Sequence, residues 1–120
     1  MPVTGVHALL YTAEPEKLRV ILRDVFGWDH VDAGGGWLIF KLPPAELGVH
    51  PGEGPTYEAG FRHQLTLMCD DLEATMRELK SKGVSINGTP EDEGWGITVM
   101  LQLTTDLEVM LYQPKHPAWV

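Results

Sequence analysis

The sequence contains almost none of the cysteine that a disulfide framework or a thiolate-rich metal site would need. Cys69 is the only cysteine among 120 residues, so an intrachain disulfide and a cysteine-rich zinc site are both excluded. The sequence also lacks an apolar run approaching the roughly 18 residues that span a bilayer, and no secretion signal opens it. We therefore expect a cytoplasmic protein that has no membrane partner.

Basic residues are also scarce. Nine Lys and Arg stand against 17 Asp and Glu, which gives a formal net charge of -8. Nowhere do the basic residues form a stripe that could neutralise phosphates, so nucleic acid is not expected as a partner. Hydrophobic residues make up 43% of the chain and charged residues 22%, which is a globular composition. The length is that of one ordinary domain.

The chain has a weak internal repeat, in which His7-Ala-Leu-Leu-Tyr-Thr recurs 56 residues later as His63-Gln-Leu-Thr-Leu-Met. Gly27 recurs in the same way at Gly83, where a glycine can end a helix. Apolar residues at helical spacing precede each glycine, and they are Leu18, Ile21, Leu22 and Val25 in the first half and Leu72, Met76 and Leu79 in the second. The pattern predicts a strand followed by an amphipathic helix in each half.

Three short strand-like runs follow each glycine, so each half is predicted to have βαβββ order. The predicted runs are 28–31, 37–42 and 46–50 in the first half and 84–86, 97–103 and 107–112 in the second, with a turn at 87–96. Module one covers about 3–52 and module two about 61–114, and the polar stretch 51–60 joins them. One helix can cover only one face of a four-stranded sheet, so the other face is the expected site.

Strand alternation predicts which side chains line that face. In the last strand, Leu107, Val109 and Leu111 form an apolar face suited to the helix, and Glu108, Met110 and Tyr112 lie opposite. In the fourth strand, the same pattern predicts Leu47 and Val49 against the helix and Glu46, Gly48 and His50 on the other side.

At this point the sequence resembles the vicinal oxygen chelate superfamily, which includes glyoxalase I, extradiol dioxygenases and bleomycin-resistance proteins. The resemblance rests on the two His-initiated strands, Arg23-Asp-Val-Phe-Gly27-Trp, Gly94-Trp95-Gly96 and the closing Glu108-Val-Met-Leu-Tyr-Gln-Pro114. It implies one α+β domain over 1–120, with two tandem βαβββ modules forming a curved mixed sheet and the helices on its convex face. It also implies a homodimer whose cups are built from both subunits.

Metal-dependent members of this superfamily hold one divalent ion in the cup. By resemblance, His7 and His63 match two of the four ligand positions, and imidazole suits Zn, Ni, Fe and Mn. The third ligand is Glu46 or His50, and the sequence leaves this choice open. The fourth position falls on Met110, whose thioether is a poor ligand for a hard ion. Glu108 lies on the same face and could replace it only through a shifted strand.

Two functions compete. In a glyoxalase-like lyase or isomerase, the ion would chelate two neighbouring substrate oxygens and Glu108 would act as general base. The dioxygenase branch would need iron, and its chains are usually longer. In a metal-free binding protein similar to those for bleomycin resistance, Trp37, Trp95, Met110 and Tyr112 would contact a drug or metabolite. The paired histidines place the enzyme slightly ahead. In either case, the partner is a small molecule.

Overall fold

The computed structural model describes residues 7–49, 51–52, 59–60 and 63–117. They form an α+β fold, as predicted. The helices are α1 (Pro15–Val20), which continues as a π-helical segment over Ile21–Val25, and α2 (Leu72–Ser81). The strands are β1 (His30–Asp32), β2 (Leu38–Phe40), β3 (Thr66–Met68), β4 (Ser85–Asp92), β5 (Gly96–Thr104) and β6 (Leu107–Pro114).

The second half has the predicted order β3-α2-β4-β5-β6. Its four strands form one sheet in the order β3-β6-β5-β4, in which β3 pairs with β6 in parallel and the other pairs are antiparallel. The Asp71 side chain caps α2 by accepting a hydrogen bond from the Ala74 N–H at 3.1 Å. After the helix, Gly83 turns the chain at a φ of 87°, which is a conformation that suits glycine.

The first half contains α1, the π-helical segment and a two-stranded hairpin. Gly27 ends the helical part at a φ of 69°, as the repeat predicted. In the hairpin, β1 and β2 pair antiparallel through Val31 and Ile39. The Asp32 carboxylate orders the turn, because it accepts hydrogen bonds from the N–H groups of Gly34 at 2.7 Å and Gly36 at 3.3 Å.

Two strand predictions and one turn prediction were wrong. Neither 7–12 nor 46–49 forms a strand, and residue 50, the last of the predicted run 46–50, lies outside the described residues. Module one therefore lacks its predicted outer strands among the described residues. Leu47 and Val49, predicted to pack on the helix, are 91% and 92% exposed. A strand needs a neighbour for its backbone hydrogen bonds, and no described strand pairs with either segment. The predicted turn at 87–96 is strand as far as Asp92, with a shift in register between Asn87 and Glu91.

The core lies between the four-stranded sheet and the helices. The predicted apolar faces of both helices are buried or partly buried, and Val109 and Leu111 of β6 pack against them. On β5, Leu101 is completely buried. The core residues of both halves form one cluster. No helix in the described part of the chain is long and apolar enough to cross a membrane.

A polar network ties the segment before α1 to the turn between β5 and β6. The Asp106 carboxylate accepts hydrogen bonds from the Thr12 hydroxyl at 2.5 Å, the Ala13 N–H at 2.8 Å and the Thr104 hydroxyl at 2.9 Å. Glu14 accepts a hydrogen bond from the Thr105 N–H at 2.8 Å and another from its hydroxyl. These contacts hold the first half of the chain against the second.

Candidate functional site

The face of the four-stranded sheet that points away from the helices is the candidate site, and we call it the open face. Cross-strand pairing arranges its side chains in rows, because residues directly opposite one another in a sheet share a face. One row runs Met68, Tyr112, Thr98 and Glu91, and the next runs Thr66, Met110, Met100 and Asn87. A third row contains Glu108 and Gln102. The predicted alternation in β6 is therefore confirmed.

An aromatic cluster occupies one end of the open face. Trp95, in the turn between β4 and β5, meets Tyr112 edge to face with ring centroids 5.5 Å apart. The turn is fixed against the end of β6, because the Lys115 N–H donates to the Trp95 carbonyl at 2.9 Å. His116 also belongs to this cluster, with its ring 6.1 Å from that of Tyr112. Trp95 is 46% exposed, which leaves part of the indole free for stacking.

The Tyr112 hydroxyl lies between two ionisable side chains. It is 3.5 Å from Glu46 Oε1, to which it donates a long hydrogen bond, and 3.5 Å from His116 Nε2. Burial raises the pKa of the tyrosine, and the neighbouring Glu46 carboxylate raises it further. The phenol is therefore held neutral, and it can donate a hydrogen bond without becoming an anion.

Thioethers and a small cavity lie beside the aromatic cluster. Met100 and Met110 face each other across β5 and β6, and Met68 lies opposite Tyr112. The cavity has a volume of about 230 Å³ and is lined by Asn87, Gly88, Thr89, Glu91, Glu93, Thr98, Val99, Met100 and Met110. This volume is below the roughly 300 Å³ at the lower end of ligand pockets. A ligand of ordinary size would therefore extend from the cavity over Tyr112.

The structure brings together only part of the predicted binding set. Trp95, Met110 and Tyr112 lie on or beside the open face, but Trp37 lies on the hairpin. Its ring contacts Arg19 of α1, with the guanidinium carbon 5.2 Å from the ring centroid. Glu108 is on the open face and exposed. It is four residues before Tyr112 on the same strand, which places it about 13 Å from the aromatic cluster.

The predicted metal ligands do not form a described metal site. Glu46 lies against Tyr112, whereas His7 and His63 are exposed, and His50 lies outside the described residues. Among the described residues, no three His, Cys, Asp or Glu side chains come close enough together to hold a metal ion. Met110 at the fourth ligand position is unsuited to a hard ion. The described residues therefore supply only part of the donor set that the resemblance implies, and the predicted ligand His50 is not among them.

Sequence reasoning missed several residues of the site. His116 follows the last predicted strand by a few residues, and nothing in its local pattern linked it to Tyr112. The same alternation that worked for β6 could have found Thr98 and Met100, because Val99 and Leu101 between them are buried. Glu91 was missed because its segment was predicted as a turn, although the segment forms part of β4.

Comparisons with known proteins agree with this architecture. Residues 5–108 match the model of the Glyoxalase/Bleomycin resistance protein/Dioxygenase superfamily. The structure is similar to that of TnmS3, an antibiotic binding protein from Streptomyces sp. CB03234, with a TM-score of 0.65 and 22% sequence identity over 96% of this chain and 99% of that one. No protein among those with curated descriptions matches the sequence. The family model covers most of the chain, which therefore belongs to the Glyoxalase/Bleomycin resistance protein/Dioxygenase superfamily.

Proposed function

We propose that this protein binds a small, flat, largely apolar molecule on the open face. The observation that supports this most directly is the half-exposed Trp95 beside Tyr112, next to a cavity lined in part by Met100 and Met110. The exposed edge of an aromatic side chain and polarizable thioethers can pack against many ring systems, because these contacts require no specific hydrogen bonds. The neutral Tyr112 hydroxyl supplies one directional contact.

Three further observations favour binding over catalysis. The described residues do not assemble three metal donors, and the predicted general base Glu108 is separated from the aromatic cluster along β6. TnmS3, which has the same fold, is an antibiotic binding protein. An antibiotic containing an aromatic ring system is therefore one class of ligand that the open face could take.

The alternative is a metal-dependent lyase or isomerase. His7 and His63 occupy matching positions of the internal repeat, and both side chains are exposed and so accessible to an ion. Their partner would be Glu46 or His50. The described residues supply no third donor beside them, so we derive no catalytic step through a metal.

We also propose that the protein is a homodimer. Among the residues that the structure describes, eight of the nine exposed large hydrophobic side chains belong to the first half of the chain: Leu9, Tyr11, Val20, Val31, Trp37, Leu42, Leu47 and Val49. An apolar cleft of about 360 Å³ lies on the hairpin, lined in part by Val31, Ile39 and Phe40. Apolar surface concentrated in this way is typical of a protein interface.

Trp95→Ala tests the binding proposal. We expect wild-type protein to bind planar three-ring compounds and Trp95→Ala to bind them about fivefold more weakly, since loss of a stacking aromatic costs about 1 kcal/mol. Affinity is measured by isothermal titration calorimetry. Trp37→Ala is the matched control, because Trp37 is 57% exposed but contacts Arg19 on the hairpin side.

Equal losses in the two variants, or no binding of any ring compound by the wild type, would contradict the proposal. The same protein, stripped with a chelator, is titrated with Zn²⁺, Ni²⁺, Mn²⁺ and Fe²⁺. Saturable binding of one ion per site that disappears in His7→Ala would favour the metal-dependent enzyme instead.

A further inference from the structure

Asn87 is the only asparagine in the chain, and a glycine follows it. Glycine has no side chain to shield its backbone nitrogen, so the nitrogen of Gly88 can approach the amide carbon of the Asn87 side chain. The pair lies in β4, and both residues are exposed. Both also line the cavity on the open face. A reaction between them would therefore alter the candidate site.

The backbone at this pair departs from a regular strand. The register between β4 and β5 shifts between Asn87 and Glu91, so Gly88 lies in an irregular part of the strand. Gly88 has a φ of 73°, and a Cβ built on it would meet no atom within 4 Å. Among the described strands, only β5 pairs with β4, which is an edge of the sheet. Such an edge can open locally while the rest of the sheet stays intact.

One hydrogen bond restrains the Asn87 side chain, whose Nδ2 donates to Gln102 Oε1 at 2.6 Å. The orientation of the Gln102 amide is fixed, because its Nε2 donates to the carbonyl oxygens of Thr104 at 2.6 Å and Leu107 at 3.4 Å. Gln102 therefore faces Asn87 as an acceptor, and Asn87 must face it as a donor. A carboxylate in place of the Asn87 amide would bring acceptor oxygens together, and this bond between β4 and β5 would be lost.

We propose that Asn87 and Gly88 form a deamidation site in the folded protein, with Gln102 as the residue that restrains it. The Gly88 backbone nitrogen gives its proton to hydroxide and forms a bond to the side-chain carbonyl carbon of Asn87. The bond from that carbon to Nδ2 breaks, and Nδ2 takes a proton from water and leaves as ammonia, which regenerates the hydroxide. Water then opens the resulting succinimide ring to an aspartate or an isoaspartate.

Either product changes the edge of the open face. The new carboxylate lies at a cavity that Glu91 and Glu93 already line, so it adds negative charge where like charges are close. The isoaspartate also carries an extra backbone carbon, which disturbs the pairing of β4 with β5. The modification is therefore expected to loosen β4.

Mass spectrometry of the full chain, incubated at neutral and at alkaline pH, tests the site. We expect the intact mass to rise by the exchange of one NH2 for OH, faster at higher hydroxide concentration, and peptide fragmentation to assign the change to Asn87. The folded chain should convert within about tenfold of the rate of the same chain unfolded in urea, because an exposed edge opens at little cost. Asn87→Gln should show no gain over the same time, since its longer side chain closes a ring far more slowly.

Gln102→Ala and Gln102→Glu test the restraint. Gln102→Ala removes the acceptor that faces Asn87 and is expected to speed conversion about fivefold, the factor that corresponds to one ordinary hydrogen bond. Gln102→Glu is the matched control. It also loses the donation to Thr104 and Leu107 but keeps an acceptor for Asn87, so conversion should stay close to the wild-type rate.

The outcomes are decisive without a ligand, so they are independent of the proposed binding function. If the folded chain keeps its mass, whether or not the unfolded chain converts, the deamidation site is refuted. If Gln102→Glu speeds conversion as much as Gln102→Ala does, the cause is a loosened turn between β5 and β6, and the assignment of the restraint to the Asn87 hydrogen bond is wrong.

Discussion

At the scale of single residues, the Asp106 carboxylate joins the segment before α1 to the turn between β5 and β6. Asp106 sits in the turn between β5 and β6, far in sequence from Thr12 and Ala13, yet it accepts hydrogen bonds from both. These bonds stabilise the charged form, so the hydroxyl of Thr12 first, and then the N–H of Ala13, lower the pKa of Asp106. No local pattern predicts such a contact, because it joins residues more than 90 positions apart.

Asp106→Asn is therefore expected to lower stability at neutral pH, because an amide is a weaker acceptor than a carboxylate. A pKa below the ordinary value of 3.8 means that this stabilisation is full above that value. It disappears as the pH falls through the lower pKa of the folded state, where the wild-type carboxyl is also neutral. Urea denaturation across this range measures the difference between wild type and variant.

Asp29→Asn, on the exposed loop before β1, is the control for removal of a surface charge. The difference between wild type and Asp106→Asn should shrink in acid, whereas the Asp29→Asn protein should follow the wild type throughout. If the loss of stability in Asp106→Asn stayed constant down to the lowest pH, the hydrogen-bonded carboxylate would not be its source.

At the scale of helices and strands, predictions that depend on nearby residues were correct, and predictions that depend on distant strand partners were not. Both helices were predicted from local spacing and from the glycines that end them, because those signals lie within a few residues. The alternation in β6 worked because Val109 and Leu111 face a helix within the same module. The segments 7–12 and 46–49 show strand-like patterns but have no described strand beside them, and a pattern alone cannot supply the missing neighbour.

The turn between β4 and β5 contacts the aromatic cluster through Gly96. Gly96 opens β5 directly under the Tyr112 ring, and a Cβ at this position would lie 3.1 Å from Tyr112 Cδ2 and 3.0 Å from the Gln113 carbonyl oxygen. Such contacts are tighter than most Cβ contacts, so the ring and the end of β6 would have to shift by a few tenths of an ångström to accommodate an alanine. The Gly94-Trp95-Gly96 motif thus positions the aromatic cluster as well as turning the chain.

Gly96→Ala is expected to weaken binding of the planar probes about tenfold by displacing Tyr112. Gly83→Ala is the control: Gly83 has a φ of 87° and open space around its Cα, so alanine there costs about 1 kcal/mol of backbone strain and leaves the open face untouched. Calorimetric titration and urea denaturation of both variants separate affinity from stability. Equal affinities in the two variants would show that the contact of Gly96 with Tyr112 does not position the ring for binding.

The whole molecule is asymmetric in how it buries apolar surface. The second half buries its helix and sheet against each other, whereas the first half leaves Leu47, Val49 and Tyr11 more than three-quarters exposed. Burying one large aliphatic side chain contributes about 1.5–3 kcal/mol. A single copy of the chain does not gain this free energy, because these side chains stay exposed to water. Dimerisation is the simplest way to recover it. The interface would then include the segments that failed to form the predicted strands.

We therefore expect light scattering after size exclusion to give a mass about twice the chain mass of 13.3 kDa. The double variant Leu47→Glu/Val49→Glu places two carboxylates in the apolar interface, and the cost of burying unpaired charge should shift it to the monomer mass. Ser81→Glu/Ser85→Glu adds the same charge on exposed positions of the second half and should remain dimeric. A wild-type protein that elutes as a monomer at all concentrations would refute the interface. If both double variants became monomeric, the added charge itself would be the cause, because only Leu47 and Val49 belong to the exposed apolar surface.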